Sequence, residues 1–193
     1  MPSIRMKEGE IPAKQAAVLV PLCISNGHAS LLYTLRSRAM SKNAGQISFP
    51  GGMRDDADAD LVETAVREAH EELGIDRKVV DVWCMGKFIG TWDKSMGVMP
   101  VVGFVGEIEV NKLQINPKEV EEVFCVPLRE FCNPRNAGYT KFLKGYSLPV
   151  FTYHGHQIWG LTAMITHVLL SALLQEKYTK HASKLFRFFT KVG

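Results

Sequence analysis

The chain has 193 residues, of which 46% are hydrophobic, and a formal net charge of +3. This length and composition predict a globular protein with one domain large enough for a hydrophobic core. The charge is modest and spread along the chain, and no motif of a DNA or RNA reader occurs, so nucleic acid is not required as a partner and a small polyanionic substrate suits the chain. No apolar run is long enough to cross a bilayer.

Predicted strands and helices alternate along the chain without repeats or low-complexity linkers. The predicted strands lie at 15–24, 29–35, 46–49, 79–89, 98–108, 121–126 and 150–159. Asn26-Gly27 favours a tight hairpin turn between the first two strands, and His154-Gly155 marks a turn in the last. Pro50-Gly51-Gly52 is expected to end the third strand and open a loop. A short helical turn is predicted from Pro127 to Phe131.

Two helices are predicted among these strands. The first begins near 58–60 and ends at Gly74, because glycine is common at the left-handed C-cap of a helix. The second covers the mostly apolar stretch 161–174 and is expected to pack on the sheet. Together these elements predict an α/β fold with a mixed sheet between helices. The chain is expected to comprise an N-terminal extension, one domain and a basic C-terminal segment, at 1–14, 15–176 and 177–193.

The first predicted helix concentrates three carboxylates on one face. Residues three and four apart on a helix lie on the same side, so Glu68, Glu71 and Glu72 project together. The residues expected to face the core are Leu61, Ala65, Ala69 and Leu73. Like charges so placed repel each other, and a divalent cation such as Mg²⁺ offsets the repulsion. The alternative is a solvated helix surface, but the fixed spacing from Arg67 to Gly74 favours a metal site.

The segment that ends at Gly74 resembles the Nudix box, the signature of hydrolases that cleave nucleoside diphosphates linked to another moiety. The resemblance is carried by Gly52 and by the run Arg67-Glu68-x-x-Glu71-Glu72-x-Gly74. The loop between these two parts is one residue longer than in the general pattern. It offers Asp58 where the usual box has a glutamate.

A second resemblance, to the coenzyme A diphosphatases within the Nudix superfamily, is carried by residues on either side of the box. These residues lie at 31–37, 45–52, 148–151 and 158–163. Residues 16–23 together with 32–37 look most like the mitochondrial animal form of this branch. The resemblance implies an α/β/α sandwich with a mixed sheet. It also implies hydrolysis of coenzyme A or acyl-CoA to 3′,5′-ADP and 4′-phosphopantetheine or its acyl derivative.

Two alternative functions remain open. The same chemistry can serve another nucleoside diphosphate derivative, such as ADP-ribose or NADH, or the chain can be a Nudix-shaped binding module without turnover. Retention of all three box glutamates after Arg67 argues against the binding module. The resemblance implies a mitochondrial location. A cytosolic location is the alternative, because the first fifteen residues include Glu8 and Glu10 and transit peptides avoid acidic residues.

The resemblance and the helix spacing together suggest roles for the box residues. Glu68 and Glu72 are predicted to bind one or two Mg²⁺ or Mn²⁺ ions, with Glu71 as a third ligand or a water-mediated contact. Glu68 is also the preferred general base, the alternative being an acid from the segment 119–122. Arg67 is expected to orient a carboxylate rather than to touch substrate. Glu68, Arg67 and Glu71 are therefore the predicted catalytic residues.

Four residues upstream of the helix are predicted to bind substrate. Arg36 and Arg38 are candidates for bidentate contacts to the phosphates of coenzyme A, the alternative for each being a surface arginine. Gly51 and Gly52 complete this set, and a backbone carbonyl of their loop is expected to complete the metal coordination.

The cysteines are predicted to be reduced core residues. Cys23, Cys84, Cys125 and Cys132 lack the CxxC spacing of a zinc site, and most of them lie in apolar runs. A zinc site or a disulfide framework is therefore not expected.

Residues 177–193 form a basic segment with interleaved aromatic residues and no acid. Such a segment can lie on an acidic membrane surface. We favour the alternative, a C-terminal helix docked on the domain or on a second subunit.

Overall fold

The computed structural model describes residues 11–91, 96–141, 147–174 and Tyr178. Most of the expected N-terminal extension, and all of the basic C-terminal segment except Tyr178, lie outside the described residues. The chain divides between Val126 and Pro127 into two compact units, and each is described by itself.

An eight-stranded sheet and one helix build the first unit. Its elements in chain order are β1 (Gln15–Ser25), β2 (His28–Arg36), β3 (Ile47–Ser48), β4 (Gly51–Met53), α1 (Leu61–Leu73), β5 (Asp81–Met85), β6 (Ile89–Gly90), β7 (Gly97–Glu107) and β8 (Val120–Pro127). The main path of the sheet runs β3-β2-β1-β7-β5, with β4 beside β1, β6 beside β7 and β8 beside β2. β1 and β7 are parallel, whereas β1 and β2 are antiparallel. The sheet is therefore mixed, as predicted.

The predicted hairpin between β1 and β2 is confirmed. Asn26 and Gly27 both have positive φ angles, of 49° and 72°, as a tight two-residue hairpin turn requires. The loop expected at Pro50-Gly51-Gly52 is wrong in part, because Gly51–Met53 forms β4 and pairs antiparallel with β1. At Gly51 a side chain would collide with the backbone of β1, since a Cβ there would lie 2.6 Å from the Val18 Cα. Glycine here permits pairing rather than breaking it.

The single strand predicted at 79–89 is wrong. The segment contains a 3₁₀ turn at Arg77–Val79, then β5 and β6, which both pair with β7. The interruption lies opposite Pro100 in β7, whose carbonyl accepts a hydrogen bond of 2.8 Å from the Gly86 N–H. Proline has no N–H to return the bond, so the ladder cannot continue past this point.

Helix α1 begins and ends where the sequence predicts. Asp60 is the N-cap, and its carboxylate accepts a 2.9 Å hydrogen bond from the Glu63 N–H. Gly74 is a left-handed C-cap with φ 69°. The predicted core face is confirmed, because the side chains of one stripe are buried against the sheet: Ala65, Ala69 and Leu73, with Leu61 partly buried beside them. This packing fixes which carboxylates of α1 face the sheet.

The second unit contains a three-stranded antiparallel sheet and a helix. After a 3₁₀ turn at Leu128–Cys132 come β9 (Ala137–Lys141), β10 (Ser147–Tyr153), β11 (His156–Ile158) and α2 (Gly160–Leu173). The predicted turn at His154-Gly155 is confirmed by φ angles of 47° and 85°. Strand β9 was not predicted. Helix α2 packs on β10. Among the described residues, no helix is long and apolar enough to cross a membrane.

The prediction that the cysteines are core residues is wrong for Cys84, which is exposed. β5 is the last strand on its side of the sheet, and a register shift between Val82 and Cys84 disturbs its pairing with β7. A side chain on such an edge strand has no neighbour beyond it to cover it. Cys23 is buried, Cys125 and Cys132 are partly buried, and none of the four described cysteines forms a disulfide.

Candidate active site

Three carboxylates from two separate segments meet in the first unit. Glu68 and Glu72 lie one turn apart on α1, and Glu119 comes from the turn that precedes β8. Their ligand oxygens all lie within 4.8 Å of one another. The turn is held against the C-terminal end of α1, because the Asn116 N–H donates a 2.9 Å hydrogen bond to the Glu72 backbone carbonyl. The Asn116 side chain also donates to Glu119 Oε1 at 3.2 Å.

Burial has a larger effect than the nearby arginines on the pKa of two members of the carboxylate cluster, which consists of Glu68, Glu72 and Glu119. Glu72 is 2% exposed, and burial raises its pKa to about 8 even though Arg36 opposes the shift. Burial also raises the pKa of Glu68, against the nearby charge of Arg67. Carboxylates that are desolvated and close together become favourable as anions only when a cation joins them. The donor set, three oxygen ligands, fits a hard divalent ion.

Strand β4 forms one wall of the cluster. The Gly51 backbone N–H donates a hydrogen bond to the Glu72 carboxylate. A Cβ built at Gly52 would lie 2.6 Å from the Glu68 Cδ, so only glycine leaves that carboxylate in place. The two glycines predicted to bind substrate therefore lie directly against the predicted metal ligands.

Arg67 lies at the centre of a hydrogen-bond network around Glu68. Its guanidinium donates from Nη1 to Glu68 Oε1 at 2.9 Å and to Glu71 Oε2 at 3.1 Å, and from Nη2 to the Met53 carbonyl at 3.1 Å. Asp58 accepts from its Nε and Nη2. Each of these contacts is charge-assisted or reaches a main-chain acceptor, which fixes the guanidinium plane. The structure places Arg67 where it can orient Glu68.

Asp58 is a site residue that the sequence did not assign. It is 4% exposed, and besides Arg67 it accepts from Thr64 Oγ1 and the Asp55 N–H, both at 2.9 Å. The hydrogen bonds from Arg67 hold the pKa of Asp58 well below its usual range. Its place in the longer loop was visible in the sequence, but its partner was not.

Two of the three predicted metal ligands lie close together in the structure. Glu68 and Glu72 meet, but the Glu71 side chain is 49% exposed and bonded to Arg67 instead. Within the part of the chain that the structure describes, the third carboxylate that can hold a metal is Glu119. The sequence suggested the segment containing Glu119 as an alternative source of the base. No signal in the sequence places a residue 47 positions after Glu72 beside it.

The two predicted substrate arginines differ in their surroundings. Arg36 ends β2, and its charge acts on Glu72. Its Nε is buried and has no hydrogen-bond partner among the described residues. Arg38 is 82% exposed and forms an ion pair of 3.6 Å with Glu121. Arg36 is thus placed beside the carboxylate cluster, whereas Arg38 lies on the surface.

Comparison with known proteins agrees with this geometry. Residues 13–146 match the NUDIX domain family. The chain is 45% identical over 168 residues to the mitochondrial coenzyme A diphosphatase NUDT8 of Homo sapiens, covering 84% of this chain and 71% of that protein. The Mus musculus protein of the same name is 43% identical over 164 residues, covering 82% and 77%.

A solved structure has a similar fold. A MutT/nudix family protein from Enterococcus faecalis superposes with a TM-score of 0.54 at 13% identity, covering 92% of this chain and 70% of that one. This likeness confirms the predicted α/β fold class with its mixed sheet. From the matched domain and its relatives, we conclude that this chain belongs to the Nudix family.

Proposed function

We propose that this chain is a metal-dependent diphosphatase that hydrolyses coenzyme A or acyl-CoA to 3′,5′-ADP and 4′-phosphopantetheine or its acyl derivative. The observation that carries the proposal is the cluster of Glu68, Glu72 and Glu119 within 4.8 Å, inside a Nudix domain. The substrate follows from relatives 43–45% identical that are named coenzyme A diphosphatases. The chain retains all three box glutamates, Glu68, Glu71 and Glu72, which argues against a binding module without activity.

Nudix hydrolases generally need divalent metal ions, and this site suits one. Glu68, Glu72 and Glu119 are the residues that would hold Mg²⁺ or Mn²⁺, since each offers a carboxylate oxygen to a shared point. When bound, such an ion neutralises charge on the diphosphate and lowers the pKa of an attacking water. Glu71 was the third ligand expected from the sequence. Its exposure and its bond to Arg67 favour Glu119 in that role.

The chain's own residues supply orientation and proton transfer. Glu68 is the proposed general base, because burial raises its pKa towards the range where a carboxylate accepts a proton from water near neutral pH. Arg67 donates to its Oε1, so its Oε2 is the oxygen proposed to accept the proton. Glu119 is the alternative base. Arg36, with its unused buried Nε, is the proposed contact to a phosphate oxygen of the substrate.

The proposed cellular location is the mitochondrion. It follows from the human and mouse relatives, which are named mitochondrial proteins. Cell fractionation of the full-length protein tests it, and recovery in the cytosol alone would support the alternative location.

Product analysis tests the reaction. The protein is incubated with coenzyme A, ADP-ribose or NADH in Mg²⁺ or Mn²⁺, and the products are separated by chromatography, alongside Glu72→Gln. A matched control is Glu109→Gln, which changes an exposed glutamate whose ion-pair partner is Lys112. We expect 3′,5′-ADP from coenzyme A with the wild type and the control but not with Glu72→Gln. Turnover of ADP-ribose or NADH but not of coenzyme A would support the proposed metal site and contradict the proposed substrate.

A further inference from the structure

A cleft lies where the chain before β1 meets the end of β4. Its volume is about 430 Å³, and its lining residues are Ala13, Lys14, Gln15, Met53, Arg54 and Asp56. All of them belong to the first unit. Two are cationic and one is anionic, so the lining carries a net charge of +1. Nothing in the proposed reaction so far uses this cleft.

The register of β1 and β4 brings the two cations together. Ala16 pairs with Met53, and the Arg54 N–H donates a 3.0 Å hydrogen bond to the Gln15 carbonyl. Lys14 directly precedes β1, and its carbonyl accepts a 3.0 Å hydrogen bond from the Gly97 N–H. The backbones that carry both cations are therefore fixed by main-chain hydrogen bonds, although both side chains are exposed.

The side chains of Lys14 and Arg54 have hydrogen-bond donors that no described residue accepts from. The Arg54 guanidinium donates through Nη2 to the carbonyls of Asp58 and Ala59, each at 3.2 Å, which anchors it to the loop. Among the described residues, its other nitrogens have no partner, and the Lys14 ammonium forms no ion pair. An anchored guanidinium with unused donors, beside an ammonium, is a favourable arrangement for a phosphate group.

Strand β4 and the residue after it connect the cleft to the carboxylate cluster in four consecutive residues. Gly51 donates to Glu72, Gly52 lies against Glu68, the Met53 carbonyl accepts from Arg67, and Arg54 lines the cleft. Two residues of extended chain span roughly 7 Å, so the Arg54 backbone lies about that far along the chain from the Gly52 backbone, which lies against Glu68. This step along the chain is about as long as the breadth of one nucleoside sugar.

We propose that Lys14 and Arg54 form a subsite for the 3′-phosphate on the ribose of coenzyme A. The inference rests on the proposed function and deepens it, because the 3′-phosphate distinguishes coenzyme A from ADP-ribose and NADH. The ribose carries this phosphate next to the 5′ arm that leads to the diphosphate, which matches one cationic cleft beside one carboxylate cluster. Asp56 at the cleft limits its net charge and weakens phosphate binding there.

Steady-state kinetics on coenzyme A and on 3′-dephospho-coenzyme A test the subsite. The variants are Lys14→Gln and Asp56→Asn, which remove opposite charges from the same cleft. Lys78→Gln is the matched control, since Lys78 is exposed on the 3₁₀ turn after α1, away from the cleft. Arg54 is left intact because it also holds the loop carbonyls.

We expect Lys14→Gln to raise KM for coenzyme A by about tenfold with kcat nearly unchanged, and to leave KM for dephospho-coenzyme A within about twofold. Asp56→Asn should lower KM for coenzyme A relative to KM for dephospho-coenzyme A. Lys14→Arg, which keeps the positive charge, should have the same ratio of these two KM values as the wild type. Equal effects of Lys14→Gln on both substrates would overturn the subsite while leaving the diphosphatase activity in place. Absence of turnover of either substrate by the wild type would instead overturn the proposed function.

Discussion

Asp58 and Arg67 form a two-point ion pair, with Oδ1 2.8 Å from Nε and Oδ2 3.0 Å from Nη2. The pair joins the loop after β4 to the helix that carries the metal-binding carboxylates. The loop is one residue longer than the general Nudix pattern, and the aspartate side chain is one methylene shorter than the usual glutamate. The Asp58 carboxylate reaches the Arg67 guanidinium with both of its oxygens. Asp58 thus fixes the guanidinium through Nε and Nη2, while Nη1 donates to Glu68 Oε1.

Asp58→Asn tests this positioning. The amide can accept only one of the two bonds from Arg67, so we expect a loss of about 2 kcal/mol in the free energy of unfolding at pH 7. Because the folded-state pKa of Asp58 is lowered, its contribution is present above its unfolded value of 3.8 and is lost as the pH falls below that. Chemical denaturation of both proteins from pH 7 to pH 3 measures the difference, which should shrink at the acid end.

The activity of Asp58→Asn should fall by about tenfold in kcat with little change in KM, since Glu68 loses a fixed partner. Glu107→Gln is the control, because Glu107 is exposed at the end of β7 and makes no contact with the site. A difference in stability between wild type and Asp58→Asn that does not depend on pH would contradict the ion pair.

Glu72→Gln separates the metal role from the structural role. The amide has the same shape but is a poor ligand for a hard cation, so we expect at least about a 100-fold loss of kcat. The metal-free variant should be no less stable than the wild type at pH 8, because a buried carboxylate is costly there. Thermal unfolding without metal provides the measurement. A destabilised, inactive variant would indicate that Glu72 acts chiefly in folding.

Metal affinity should depend on pH through Glu72. Its pKa in the metal-free protein is raised to about 8, so below that pH a cation must displace a proton. We expect Mn²⁺ affinity to rise by about tenfold per pH unit from pH 6 to pH 8 and then level off. Calorimetric titration in buffers of different ionisation enthalpy would detect the released proton. Affinity that is constant over this range, or uptake of protons, would refute the assignment.

Gly52→Ala tests the wall formed by β4. The added methyl would lie 2.6 Å from the Glu68 Cδ, so the carboxylate must move away from Glu72 and Glu119. We expect weaker Mn²⁺ binding and a fall in kcat of about tenfold or more, with the fold retained. Gly138→Ala in β9 is the control, because a Cβ there meets nothing within 4 Å. Full activity of Gly52→Ala would show that Glu68 tolerates the displacement.

Most elements could be predicted because their signals are local. The turn at Asn26-Gly27 requires positive φ, the cap at Gly74 requires the left-handed region, and the apolar stripe of α1 repeats with the helix period. The wrong predictions concern segments where pairing with a neighbouring strand decides whether a strand forms and where it ends. β4 exists because β1 offers it a partner, and the break before β6 exists because Pro100 lies opposite.

The motif in the sequence identifies the family. Helix periodicity identifies the helix that carries the carboxylates and the pair Glu68 and Glu72, because it fixes which side chains share a face. Tertiary packing brings Glu119 to these two residues, whereas the Glu71 side chain bonds to Arg67 instead. It also brought Asp58 to Arg67 and Lys14 beside Arg54. These contacts join segments that are distant or lie on different elements, and their geometry depends on how strands and helix pack rather than on any local pattern.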